Sequence, residues 1–179
     1  MAPVDLLLVS GSLQRVSANR ALLEVAAQCA EGLARVSWYS RLGELPHFDP
    51  DLPEDLAPVV DWRRAVLGAD GVLIASPEYA HSLPGSLKNA LDWLVGSGEL
   101  YAKPVGLMSG GTSGGQRALD ALAQTLRAQG SLIVGRLSVP GIRPKLDANG
   151  AVVDPETVAQ TCALLRELVE AAQGSRAVP

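Results

Sequence analysis

Short apolar runs alternate along the chain with longer stretches in which apolar positions recur at helical spacing. Val4-Asp5-Leu6-Leu7-Leu8-Val9 lacks polar alternation, the pattern of a strand covered on both faces. Residues 19–32 predict a helix with the stripe Leu22, Leu23, Ala26, Ala27 and Ala30, stopped by Gly32. Residues 35–39 predict a short strand near an edge. Residues 40–58 hold Pro46, Pro50, Pro53 and Pro58 and predict a long loop, a kind that tends to carry function. A helix over 59–68, a buried strand over 71–75 and a loop over 76–83 follow. Pro84 then opens a helix through Leu94. A strand over 104–108, a glycine-rich turn over 109–115, a helix to Gln129 and a last strand over 131–134 complete the alternation. Residues 135–155 predict a long connection, 156–172 a final helix, and 173–179 a frayed tail.

Five strands separated by helices predict a parallel sheet wound on both faces, because crossovers are right-handed. No internal repeat or low-complexity block divides the chain, so a single domain over residues 1–179 is expected. Ligands of such sheets bind beyond the carboxyl ends of the strands, where the strand order reverses. The loops after the first, third and fourth strands are rich in Ser and Gly and are expected to converge there.

Composition narrows the partners. The 179 residues are 47% hydrophobic and 19% charged, which excludes disorder. Fifteen Lys+Arg against nineteen Asp+Glu give a net charge of −4, without the basic excess that draws nucleic acid or anionic lipid. Any phosphate must be held by local donors. Cys29 and Cys162 are too few, and too firmly inside predicted helices, for a disulfide framework. Cysteine supplies no metal signature, and two histidines are too few for a His-rich site. The N-terminal apolar run is short and lacks a basic flank, and no stretch approaches the ~20 residues of a membrane helix. A soluble protein of the reducing cytoplasm, not bound to membranes, is the expectation.

The first loop, Gly11-Ser12-Leu13-Gln14-Arg15-Val16-Ser17-Ala18-Asn19, leads into a helix whose first N–H groups favour an anion. Ser12, Ser17 and Asn19 add donors and Arg15 adds a full charge. The spacing fits neither a Walker A loop nor G-x-G-x-x-G. A simple alternative is a helix capped by Ser17 or Asn19 with Arg15 in solvent. In the second loop Pro77 pins the backbone and Tyr79 offers a ring face, suited to framing a flat heteroaromatic ring. Partial packing for Tyr79 and a surface position for His81 are the simpler alternatives, and no Ser or Cys nucleophile at motif spacing supports a hydrolase. The third, Ser109-Gly110-Gly111-Thr112-Ser113-Gly114-Gly115, offers N–H groups to ring carbonyls or a developing anion; a flexible turn is the alternative.

Taken together the motifs are more specific. Gly11-Ser12-Leu13 with Ser17-x-Asn19, Ala69-Asp70-Gly71, Ser76-Pro77-Glu78-Tyr79, Leu83-Pro84-Gly85, the run Leu87-Lys88-Asn89-Ala90-Leu91-Asp92-Trp93-Leu94, Lys103-Pro104-Val105 and Gly114-Gly115-Gln116-Arg117 follow one another over nearly the whole chain. Their combination closely resembles the NAD(P)H-dependent FMN reductase family, flavodoxin-like quinone, chromate and azo-dye reductases. The resemblance implies a flavodoxin-like three-layer α/β/α sandwich with a five-stranded parallel sheet in the order 2-1-3-4-5. It implies FMN as cofactor and NADPH or NADH as co-substrate. Hydride would pass from the nicotinamide to FMN and on to a quinone, flavin, azo or metal-oxyanion acceptor in two strokes, with no obligatory catalytic side chain. The implied FMN contacts are Gly11, Ser12, Leu13, Gln14, Arg15, Ser17, Ala18 and Asn19, with Ser12, Ser17 and Asn19 on the phosphate. Pro77, Glu78, Tyr79 and Ala80 would line the ring, and Ser109, Gly110 and Gly111 its pyrimidine side. Tyr79 and His81 would shape the acceptor side. Lys88, Asn89 and Asp92 would tie their helix to the loops, and no metal is implied. A homodimer or homotetramer is implied, with the loop around His47 and Phe48 approaching a neighbour. Three positions depart from the family pattern: Gln14 replaces a frequent Arg, with Arg15 one place on; Ala80 replaces a common Asn; and Val95-Gly96 replaces Ser-Arg. A flavodoxin-type electron carrier without NAD(P)H turnover is the rival reading, and a relative that has lost FMN is a third.

Overall fold

The computed structural model describes residues 3–176. Its sheet contains β1 (Val4–Ser10), β2 (Ala34–Tyr39), β3 (Gly71–Ala75), β4 (Pro104–Gly111) and β5 (Leu132–Pro140). All neighbours are parallel, in the order β2-β1-β3-β4-β5. α1 (Ala18–Cys29) and α5 (Pro155–Arg176) cover one face; α2 (Ala57–Leu67), α3 (Gly85–Asp92) and α4 (Gln116–Ala128) cover the other. Leu7 and Val9 of β1 enter the α2–α3–α4 layer, whereas Leu6 and Leu8 enter the α1–α5 layer. This two-sided burial is why β1 reads as an apolar run over residues 6–9 without polar alternation. The expected flavodoxin-like order is the one observed.

Two strands run longer than the sequence suggests. Ser109, Gly110 and Gly111 belong to β4, paired with Ser138, Val139 and Pro140, so the glycine-rich turn begins at Thr112. β5 reaches Pro140 rather than Val134. Leu137 and Val139 are buried while Arg136 is exposed, the alternation of a half-covered edge strand. The expected long connection therefore starts six residues later. α5 stays helical to Arg176, where a frayed tail is predicted from residue 173. The Arg176 guanidinium explains this, binding Asp70 Oδ1 at 2.6 Å and Asp5 Oδ2 at 3.3 Å. Residues 177–179 lie outside the described part.

The 40–58 loop is docked rather than loose. Asn89 Nδ2 and Trp93 Nε1 both donate to the carbonyl of Pro46, at 2.9 and 2.8 Å. The Phe48 N–H donates to Asn89 Oδ1 at 2.7 Å, and the Phe48 ring meets Trp93 edge-on. Asn89 thus ties its helix to a loop, as expected. Lys88 and Asp92 pair with each other along α3.

The cysteines overturn the expectation drawn from their number. Cys29 ends α1 and Cys162 lies in α5, and the two helices pack side by side, so residues 133 apart in sequence meet with Cα atoms 5.5 Å apart and form a disulfide. Helix interiors are compatible with a bridge once the helices are neighbours on one face of the sheet.

The loop after β3 closes in a two-residue hairpin turn. Tyr79 and Ser82 exchange N–H···O bonds at 3.0 Å, and between them Ala80 (φ 48°) and His81 (φ 64°) are both left-handed. This is the type I′ form, whose usual occupants are Asn and Gly.

Two outcomes follow from these backbone features. A bridge closing so long a loop stabilises by ~2–5 kcal/mol, so reduction, or Cys29→Ser with Cys162→Ser, should lower the thermal midpoint by roughly 5–15 °C in calorimetry. An unchanged midpoint would mean the cysteines are unpaired in solution. Ala80→Asn should raise the midpoint by roughly 2–4 °C, because the left-handed region costs a β-carbon residue about 1 kcal/mol that Asn largely avoids. No gain would refute the strained-turn assignment.

Candidate functional site

The loop from β1 to α1 is built by short local bonds. Gly11 donates to the Ala75 carbonyl at 2.8 Å, drawing the loop onto the end of β3. A β-carbon at Gly11 would sit 2.9 Å from Leu87 Cδ2, so a larger residue here would have to displace the end of the Leu87 side chain. Ser12 Oγ accepts the Gln14 N–H at 3.2 Å, and Ser17 Oγ caps α1 by accepting the Arg20 N–H at 3.1 Å. Both hydroxyls are acceptors internally, so each keeps its hydrogen for a ligand. α1 starts at Ala18, which leaves the Ala18 and Asn19 N–H groups without an intrahelical acceptor.

Asn19 is buried, and its amide is committed elsewhere. Nδ2 donates to the Gly110 carbonyl at 3.1 Å, and Oδ1 accepts the Gly110 N–H at 2.9 Å. The β3–β4 ladder stops at Ala75↔Met108, so the Asn19 amide takes the place of a strand along the uncovered edge of β4. A β-carbon at Gly110 would meet Leu22 at 3.1 Å and Ile142 at 3.2 Å, so a side chain here would press on both neighbours.

These segments enclose a cleft of about 490 Å³ at the carboxyl ends of the strands. Of the residues expected to bind a cofactor, Ser12, Gln14, Ser17, Ala18, Asn19, Pro77, Tyr79, Gly110 and Gly111 line it. Gly111 faces open space, giving one wall a bare backbone. The other expected residues lie elsewhere. Gly11 supports the loop from beneath. Leu13 and Arg15 line an adjoining hollow of about 360 Å³ beside Trp38 and Arg41, which shares Ser12 and Gln14 with the cleft. Ala80 is at the exposed tip of its hairpin. Ser109 is fully buried, its Oγ unpartnered and lying where a β-carbon on Gly115 would go.

Glu78 also turns away from the cleft. Its carboxylate accepts the N–H groups of Arg117 (3.1 Å) and Ala118 (3.4 Å) at the start of α4, and pairs with the His81 ring at 3.3 Å. Burial pushes the Glu78 carboxyl up, but the bonds from His81, Ala118 and Arg117 outweigh it and hold the group below its ordinary value. Glu78 and His81 line a 270 Å³ hollow with Ser113, Gln116 and Arg117. Thr112 of the third loop also lines the cleft, and Gly141, Ile142, Arg143 and Pro144, which the sequence does not single out, close it from the β5 side. The signal was available in Arg136-Leu137-Ser138-Val139, whose alternation extends β5 and brings residues 141–144 to the same rim.

The geometry separates two ends. One offers hydroxyls and the open N-terminus of α1; the other offers the Tyr79 ring and the glycine wall of β4. The N-terminus of α4 is already occupied by the Glu78 carboxylate, so an anion in this rim is directed to α1. The volume lies within the ~300–1,000 Å³ of small-molecule sites. Hydroxyl donors at a helix start suit a phosphate, and a side-chain-free wall opposite an aromatic ring suits a flat heterocycle, so these residues fit FMN.

Comparison with known proteins agrees. The sequence profile of the NADPH-dependent FMN reductase family matches residues 4–141. A quinone reductase of Escherichia coli (strain K12) is 31% identical over 158 residues, covering 83% of this chain and 84% of its own. An NAD(P)H:quinone oxidoreductase of Solanum tuberosum is 32% identical over 172 residues, covering 88% and 87%. Among solved structures, the flavoenzyme NAD(P)H:(acceptor) oxidoreductase FerB from Paracoccus denitrificans superposes with a TM-score of 0.84 at 26% identity, over 96% of this chain and 98% of that one. The chain therefore belongs to the NADPH-dependent FMN reductase family and is an oxidoreductase of the NAD(P)H:quinone oxidoreductase type.

Proposed function

We propose that the 490 Å³ cleft holds FMN, and that the chain takes hydride from NADPH or NADH and reduces a quinone-type acceptor in two alternating strokes. The observation that carries this reading is the convergence of four strand ends on one cleft with a donor-rich end and a bare, ring-sized wall. Bound FMN supplies the redox chemistry, accepting hydride and delivering electrons. The protein binds and orients. Ser12 and Ser17 would donate to the phosphate beside the free N–H groups of α1. Pro77 and Tyr79 would bound the ring, with the Tyr79–Ser82 hairpin fixing the angle of that wall. Glu78 anchors the hairpin to α4, so the wall is braced against a rigid helix rather than carried on a free loop. No side chain lining the cleft is an acid, and none is a histidine, so no general acid or base is assigned there. Exposed Tyr79 at the mouth would meet the nicotinamide and then the acceptor, alternately, on one open face. A homodimer or homotetramer completes the proposal, with exposed Phe48 and Val95 flanking α3 as candidate contacts.

The direct test is spectral. Protein supplied with FMN should retain it through gel filtration, bleach near 450 nm with NADPH or NADH under argon, and regain colour on adding benzoquinone. Failure to bind FMN, together with no NAD(P)H oxidation when FMN is supplied, would defeat the reading. Steady NAD(P)H oxidation with quinone separates a reductase from an electron carrier, which would lack that turnover.

Two of the three polar residues nominated from sequence, Ser12 and Asn19, should also separate by readout. Ser12→Ala should weaken FMN roughly 10-fold with little change in thermal midpoint. Asn19→Ala strands the N–H and carbonyl of Gly110 and should cost roughly 2–4 kcal/mol of stability, read as a fall of about 5–15 °C. The opposite pattern, Asn19 affecting FMN alone and Ser12 stability alone, would reverse the assigned roles.

A further inference from the structure

We propose that Arg143 is the charged half of the phosphate seat and makes the cleft select FMN over unphosphorylated riboflavin. The proposal rests on the FMN reading above and concerns a residue outside the sequence motifs quoted for the family.

A phosphomonoester is close to a dianion at neutral pH, and the first loop meets it with uncharged donors alone. Arg15, the cation of that loop, lines the adjoining hollows of about 360 and 120 Å³, which meet the cleft at Ser12, Gln14 and Ser17. Arg143 is the only Lys, Arg or His among the residues lining the 490 Å³ cleft, which it shares with Ser12, Gln14 and Ser17. Its guanidinium has no hydrogen bond or ion pair among the described residues. Lys145, two positions on, is by contrast bound to Asp154 Oδ2 at 3.0 Å and Thr157 Oγ1 at 3.1 Å.

The backbone that carries Arg143 is built, not slack. Gly141 donates to the Thr112 carbonyl at 3.2 Å, and Ile142 beside it is buried against the wall at Gly110. A 3₁₀ turn over Arg143–Lys145 follows, then an antiparallel bridge between Leu146 and Val152. Asp147 Oδ1 closes the tip of this hairpin, accepting from the N–H groups of Asn149 (2.8 Å) and Ala151 (2.9 Å). A β-carbon at Gly150 would stand 3.7 Å from Val16 Cγ1, so the hairpin arches back over the first loop. Its base is fixed to α5 through Asp154, whose carboxyl is held down to about 2 by the bonds of Thr157 and then Lys145. Arg143 is thus presented to the helix start by a stiff support, and its planar fork suits two phosphate oxygens at once.

The test titrates apoprotein with FMN and, separately, with riboflavin, following quenching of flavin fluorescence. Wild-type protein should prefer FMN. Arg143→Ala should lose about 10- to 100-fold in FMN affinity while riboflavin changes less than about 2-fold. Arg143→Lys should recover part of the loss, and added salt should weaken FMN binding more in wild type than in Arg143→Ala. An unchanged FMN:riboflavin ratio in Arg143→Ala, whether both affinities hold or both fall, overturns the proposal and leaves the FMN reading standing. Wild-type protein that binds neither flavin overturns the FMN reading itself. Circular dichroism of each variant guards against misfolding, which this exposed position is not expected to cause.

Discussion

The rim of this sheet is organised by one side-chain amide. β4 outruns β3, and past Met108 its inner edge would present the Gly110 N–H and carbonyl to nothing. Asn19 fills that edge from α1 with a donor and an acceptor in the geometry of a peptide group. Buried backbone groups left unpaired are costly, so this pair sets where α1 begins relative to β4. The absence of a side chain at Gly110 lets Leu22 and Ile142 close in around it. The first loop, the glycine wall and the β5 side of the cleft thereby share one contact point, and the shape of the cleft follows from it.

A second constraint divides the two helix starts at the rim. Both α1 and α4 direct N–H groups toward the ligand side, and a helix start attracts an anion wherever one is available. α4 receives its anion internally from Glu78, while α1 is capped by the neutral hydroxyl of Ser17. The same Glu78 braces the hairpin that carries Tyr79. One carboxylate therefore positions an aromatic wall and occupies the start of α4.

What was legible in the sequence follows from where each signal lives. The apolar runs at residues 6–9 of β1 and 72–75 of β3 depend only on burial of both faces, and the residues show that directly. The ends of β4 and β5 were misjudged because Ser109-Gly110-Gly111 and Gly135 read locally as breakers. In the fold the glycines are strand residues, Gly110 admitting close neighbours and Gly135 lying beside Leu164 and Glu167. The loops of the site were recognisable by motif, but motifs do not say which way a side chain turns. Glu78 pointing to α4, Asn19 to Gly110 and Ser109 beneath Gly115 are tertiary facts with no local trace. The Cys29–Cys162 bond is of the same kind, since it needs α1 and α5 to be neighbours before two distant residues count as a pair.

The packing of α1 on α5 then has a consequence for the ligand. Ser17 and the free N–H groups stand at the start of α1, and the hairpin bearing Arg143 is fixed through Asp154 to the start of α5. The two helices are bonded to each other further along, through Cys29 and Cys162. Neutral donors and cation thus hang from different helices, and their separation is set by how those helices sit together. A phosphate that bridges them binds the packed arrangement and not the separated one, so its binding free energy adds to the stability of the α1–α5 layer. A phosphate held as proposed would act on the same interface as the staple: the staple holds it whether or not the cleft is filled, the phosphate only when it is.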